Sequence, residues 1–135
     1  MNKYLAGYLA AALVLVALDM LWLGAIARTM YQQAIGHLMA EHPNVPVAVA
    51  FYILYAAGLM IFAVAPQAGE AEWGRTIVMG ALFGFFAYAT YDLTNLATLA
   101  NWPMRLSLID MTWGTIVSAV SAGAGRAAMR WAASA

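Results

Sequence analysis

The chain has 135 residues, 65% of them hydrophobic and only 9% charged, and its six Lys/Arg balance six Asp/Glu for a net charge of zero. Soluble domains carry roughly 25% charge, so this composition argues against a soluble enzyme, a disordered tail or a nucleic-acid binder, the last of which needs a basic patch. The absence of cysteine excludes disulfides, thiolate metal sites, iron–sulfur clusters and cysteine nucleophiles.

A helix needs about 20 apolar residues to cross a bilayer core of roughly 30 Å. The first such stretch is Tyr4–Ile26, with one charge, Asp19. It mimics a secretion signal, with Lys3 as the charged start and Ala25-Ile26-Ala27 as a cleavage site. Its apolar run is longer than the ~7–15 residues of a signal core, and it carries an acid, so it is expected to remain as a span. The connection over 27–45 sets Met30, Ile35, Leu38 and Met39 among Arg28, Gln32, Gln33, His37, Glu41 and His42. That spacing predicts a short amphipathic helix on the outer leaflet, or an extension of the first span. Pro43 and Pro46 end it.

The second span, Pro46–Ala65, has no charge. A polar inner loop, 66–75, leads to the third, Thr76–Leu99, which contains Asp92. The segment Asn101-Trp102-Pro103-Met104-Arg105 is predicted as a tight outer turn, because Pro103 cannot continue a helix. The fourth span, Leu106–Ala128, holds Asp110 and, near its end, Arg126. The expected fold is all-α: one domain over residues 1–135, an integral membrane four-helix bundle. With the N-terminus in the cytoplasm, Lys3, Arg75, Arg126 and Arg130 fall inside and Arg28 and Arg105 outside. The positive-inside bias therefore places both termini in the cytoplasm. Trp73 and Trp131 would mark the inner interface, Trp22 and Trp102 the outer one, and Arg126 and Arg130 would snorkel to inner phosphates.

A charged aspartate at mid-span costs about 2.5–3.5 kcal/mol on insertion scales, so three of them require a reason. At about 1.5 Å per residue, Asp19 lies about 23 Å and Asp92 about 24 Å from the inner edge, and Asp110 about 7–8 Å below the outer edge. All three fall in the outer third of the membrane. Their helix faces agree. Gly80, Gly84, Tyr88 and Asp92 recur every four residues, with Asn95 beyond; Asp110, Gly114, Ser118 and Ala122 make a similar stripe, and Gly7, Ala11, Leu15 and Asp19 a third. Small residues let helices approach closely, so each stripe should face the interior. Gly80, Gly84, Gly114 and Ser118 are assigned to helix packing, within one chain or between two.

Asp19-Met20-Leu21-Trp22 and Asp110-Met111-Thr112-Trp113 share the pattern Asp-Met-x-Trp, each followed by glycine, at Gly24 and Gly114. The two are read as two walls of one site, with Trp22 and Trp113 as aromatic walls able to hold a quaternary ammonium by cation–π attraction. Asn95 and Tyr91 are candidate hydrogen-bonding partners, and Arg28 and Arg105 rim counter-charges. Like charges raise one another's pKa, so at least one carboxyl should be protonated or matched by Arg or a bound cation. The bland alternatives stand beside these readings. The aspartates could fix helix register by bonding to Tyr88, Tyr91, Asn95, Thr94 or Ser107, and the tryptophans could be interfacial anchors. His37, Glu41 and His42 match no strong metal spacing. No phosphate loop, nucleophile elbow or dinucleotide fingerprint is present, and neither metal nor cofactor is expected.

Three functions follow as expectations. The first is binding or transport of a proton, cation or cationic amphiphile, by a homodimer since four helices are few for a pathway. The second is an enzyme on outer-leaflet lipids, one carboxyl acting as acid and another as base. The third is a structural accessory subunit. Expected partners are membrane lipids and a small polar or cationic ligand.

The segments LDMLWLG at 18–24, YDLTNLATL at 91–99, Asn101-Trp102-Pro103 and DMTWG at 110–114 resemble a bacterial group of small four-span membrane proteins, domain of unknown function 2177. The resemblance covers nearly the whole chain. It implies a multi-pass protein of the bacterial inner membrane, supplies no catalytic residues, and tilts the expectation toward membrane lipids.

Overall fold

The computed structural model describes residues 1–69 and 71–134; Glu70, within the expected loop over 66–75, lies outside them. Among the described residues the regular structure is entirely helical. Helix α1, Lys3–Leu21, starts where the Asn2 side chain accepts from the amides of Tyr4 at 2.8 Å and Leu5 at 3.4 Å. It widens into a π-helical turn at Trp22–Ile26. Helix α2, Arg28–Ile35, is the short amphipathic segment, closed by a 3-10 turn at Gly36–Leu38. Asn44 caps α3, Val45–Leu59, by accepting from Val47 N at 3.2 Å, and Pro46 sits in the first turn, where a missing N–H costs nothing. A second π-helical turn, Met60–Val64, and a 3-10 turn, Ala65–Gln67, extend α3.

Helix α4, Gly74–Thr98, and helix α5, Met104–Ser134, are joined by a tight turn. There Asn101 takes a left-handed φ of 61°, a conformation that asparagine tolerates better than most residues.

Lys3–Ile26, Val45–Gln67 and Gly74–Thr98 are long and apolar enough to cross a membrane. The fourth expected span, 106–128, lies inside α5, whose 31 residues reach about 46 Å. It falls short of that apolarity because it is the hub. It packs along both α1 and α4, and its buried residues include Ser107, Asp110, Gly114, Ser118, Ser121, Gly125 and Arg126. The outward faces are the reverse: Leu13, Leu54 and Phe86 are each more than 60% exposed. Large apolar groups outside and small or polar ones inside suit lipid as solvent, where backbone approach rather than water release holds helices together.

Two antiparallel registers organise the hub. On α4, a methyl at Gly80 would meet Ala122 Cβ at 2.7 Å, and one at Gly84 would meet Ser118 Oγ at 2.4 Å. On α1, one at Gly7 would meet Gly125 O at 3.1 Å. From Gly80 to Asp92 is twelve residues (92 − 80), and twelve residues back from Ala122 lies Asp110 (122 − 110). The same count leads from Gly7 to Asp19 and from Gly125 back to Trp113. The small-residue stripes thus join helices of one chain and fix the aspartates near one level. Both chain termini lie at the opposite end, where Lys3, Met129 and Ala133 line one cleft.

Two residues depart from their expected interfacial roles. Arg126 does not reach outward. It is 2% exposed, and its Nη1 donates to Gln67 O at 3.2 Å and Thr76 Oγ1 at 3.1 Å, with the guanidinium over the Trp73 ring at 5.2 Å. It ties the ends of α3 and α4 to α5. Trp102 is not an interfacial anchor either. It is 8% exposed, donates to Ser107 Oγ at 2.9 Å and meets the Tyr91 ring edge-on, because a turn closed by Asn101 and Pro103 folds the ring back onto α4 and α5.

Candidate functional site

At the end that carries α2 and the α4–α5 turn, the five helices enclose a pocket of about 470 Å³. Asp19, Trp22 and Leu23 come from the first rod, Phe51, Tyr52 and Tyr55 from α3, Ala87, Tyr88 and Tyr91 from α4, Asp110 from α5, and Tyr31 from α2 above. Five of the chain's seven tyrosines are in this wall.

Asp19 is almost fully buried, and both its oxygens are used. Trp113 Nε1 donates to Oδ1 at 3.0 Å, and the Tyr52 hydroxyl donates to Oδ2. Asp110 accepts from the Tyr31 hydroxyl, which in turn accepts from Trp22 Nε1 at 3.2 Å. The two Asp-Met-x-Trp segments are therefore cross-wired. The tryptophan of the second serves the aspartate of the first directly, and the tryptophan of the first serves the aspartate of the second through Tyr31. Their glycines differ. A methyl at Gly114 would strike the Tyr88 ring at 2.2 Å, whereas one at Gly24 would meet nothing within 4 Å. Gly114 is the seat on which the Tyr88 ring enters the pocket wall.

The third aspartate lies behind the wall. Asp92 is fully buried, and its carboxyl sits against that of Asp110 across the α4–α5 contact, with no other donor to it among the described residues. Burying a carboxyl against another acid is costly.

The expected partners are in part displaced. Of the two expected aromatic walls, Trp22 lines the pocket and Trp113 does not: their rings stack on each other at 4.5 Å, with planes 5° apart, so Trp113 backs Trp22. Tyr91 lines the pocket, whereas Asn95 is half-buried outside it. Thr94 bonds to carbonyls of its own helix, and Ser107 takes the Trp102 N–H. Arg28 and Arg105 are exposed, and Asp19 and Asp110 take their donors from tyrosine and tryptophan instead. Arg105 lies in a separate surface groove with Met30 and Gln33. His37 and His42 are exposed.

Sequence reasoning missed Tyr31, Tyr52 and Tyr55. A signal existed for the last two. A tyrosine buried in a span that has no other polar side chain needs a hydrogen-bond partner from elsewhere, and these find Asp19 and Ser118, the latter at 2.6 Å. Tyr31 gave none, because on an amphipathic surface helix a tyrosine is at home on either face.

Burial and then the hydrogen bond to Asp110 raise the Tyr31 phenol above its ordinary value of 10.0. The folded state holds that proton more tightly than the unfolded one. Docking of α2 is therefore fully supported below pH 10 and should weaken as pH climbs above it. The tyrosinate absorbance difference between wild type and Tyr31→Phe in micelles locates this titration. It is expected above the ordinary midpoint, and a midpoint at the ordinary value would mean that α2 is not docked.

A family model described as a predicted membrane protein, DUF2177, matches residues 4–127. No curated protein and no solved structure matches the chain.

Proposed function

The chain belongs to the DUF2177 family of predicted membrane proteins, and from that premise we propose that its pocket binds a cationic amphiphile taken from the surrounding membrane. In this reading α5 crosses the bilayer with the three more apolar rods as a four-helix bundle. Both termini face the cytoplasm of a bacterial inner membrane, by the excess of Lys and Arg at that end, and the pocket lies toward the outer leaflet. The observation that carries the proposal is the composition of the pocket wall: two carboxylates, Asp19 and Asp110, among seven aromatic and two aliphatic side chains, with no Lys or Arg in the lining. A cavity of about 470 Å³ is in the ordinary range of small-molecule sites. Aromatic faces beside carboxylates suit an ammonium group, which gains both cation–π and Coulomb attraction. Leu23, Phe51 and Tyr91 line the same pocket and are 41–52% exposed, so its mouth is apolar and reachable by a molecule already dissolved in lipid.

The buried carboxyl of Asp92, set against that of Asp110, supports a second reading, in which the bound cation is exchanged for a proton. A catalytic role on lipids has less support, since the lining offers no serine, threonine, histidine or lysine.

The test is quenching of tryptophan fluorescence by tetramethylammonium and alkyltrimethylammonium ions, with the purified protein in neutral micelles. Trp22 lines the pocket, so wild type should show saturable quenching. Asp110→Asn should weaken it at least tenfold, about 1.4 kcal/mol, with helicity unchanged. Equal affinity in wild type and Asp110→Asn would end the proposal. A pH indicator in weak buffer separates the two readings: exchange releases protons on binding, simple binding does not.

A further inference from the structure

We infer that the ligand of this pocket has one long apolar tail, and that the tail runs away from the carboxylates along a groove between α3 and α4. The inference rests on the reading of the pocket as a cation site and extends it to the other end of the ligand.

The groove has a volume of about 430 Å³ and is lined by Phe62 of the α3 π-turn and by Met79, Phe83, Phe86, Ala87 and Thr90 of α4. Ala87 lines both this groove and the carboxylate pocket. Its methyl, the smallest side chain in either wall, stands between them. An aromatic row marks the same path. Tyr55 of the pocket meets Phe83 edge-on at 5.1 Å, and Phe83 stacks with Phe62 at 6.0 Å. The Phe83 ring rests on Gly58, where a methyl would stand 2.6 Å from it.

Direction and length fit one occupant. The groove descends α4 from Thr90 to Met79, eleven residues, or about 16 Å, close to one leaflet of a bilayer core of about 30 Å. Apart from Thr90 its lining is apolar, and the charged groups lie only at the pocket end. A head with positive charge at Asp19 and Asp110 and a single tail down the groove would place each part against its own chemistry. Phe62 and Phe86 stand 60% and 63% exposed along this face, apolar surface that such a tail would cover.

The experiment uses the full chain in neutral micelles, with hexadecyltrimethylammonium carrying a photoreactive diazirine either beside the head or at the tail end. With the head-side diazirine, labelled peptides should map to the pocket, around Tyr88 and Tyr91. With the tail-end diazirine, they should map to Met79–Phe86 of α4 and to Phe62. Thr90→Phe, which fills the head of the groove and does not line the carboxylate pocket, should abolish the tail-end labels and lower hexadecyltrimethylammonium affinity at least tenfold, while tetramethylammonium quenching stays within twofold. Tail-end labels on α1 or α2, or labels that survive Thr90→Phe, would overturn the tail groove and leave the cation site standing. Head-side labels outside the pocket, together with no quenching by tetramethylammonium, would overturn the cation site itself. If Thr90→Phe fails to fold, the wild-type label map decides alone.

Discussion

Asp19→Ala is expected to lower stability by about 2–4 kcal/mol and to abolish ammonium quenching, whereas Asp19→Asn should cost about 1 kcal/mol or less and lose only the binding. The alanine leaves two buried donors, Trp113 Nε1–H and the Tyr52 hydroxyl, without their acceptor. An orphaned buried donor costs about 1–3 kcal/mol. The asparagine keeps an acceptor. The indole can only donate, while a phenol can donate or accept. The amide oxygen therefore turns to Trp113, the NH₂ turns to Tyr52, and the hydroxyl reverses its role. Thermal unfolding followed by circular dichroism in micelles, beside the quenching assay, checks both halves. If the two variants unfold alike, the two-donor network is not a source of stability. If Asp19→Asn binds as well as wild type, Asp19 acts only in the fold.

Gly84→Ala is expected to destabilise the protein by about 3 kcal/mol or more, at or beyond the top of the usual overpacking range of about 1–3 kcal/mol. The added methyl would lie 2.2 Å from Gly114 O and 2.5 Å from Ser118 Cβ. The first obstacle is backbone and cannot swing aside, so α4 and α5 must part. Parting them also strains the Tyr55–Ser118 hydrogen bond at 2.6 Å and moves Asp92 from Asp110. Gly24→Ala, with nothing within 4 Å of the new methyl, is the control and should leave unfolding unchanged. Comparable loss in the two variants would mean that the close α4–α5 approach does not set the effect, since alanine by itself favours a helix over glycine.

These two residues mark how far the sequence could be read. Gly84 was legible as a packing residue because a stripe repeating every four positions has one physical meaning on a helix. Asp19 was legible as buried, but its partners were not. The sequence pointed to Tyr88, Tyr91, Asn95, Thr94, Ser107, Arg28 and Arg105, all near in depth. The structure supplies Tyr52 and Trp113 for Asp19 and Tyr31 for Asp110. Arg126 shows the same limit: its place near a span end suggested lipid phosphates, yet its side chain turns inward to Gln67 and Thr76.

What the amino-acid sequence determined alone was depth. A helix advances by a fixed rise per residue, so counting along each apolar stretch brings Asp19, Asp92 and Asp110 to one height without knowledge of any contact. What only the tertiary structure decided was azimuth: which faces turn toward each other, that the two indoles stack as one slab, and that α2 folds over to set Tyr31 on Asp110. Rotation about a helix axis has no such fixed increment between separate helices. It is set by which side chains of distant segments interlock, and that information is shared among helices rather than written along one of them.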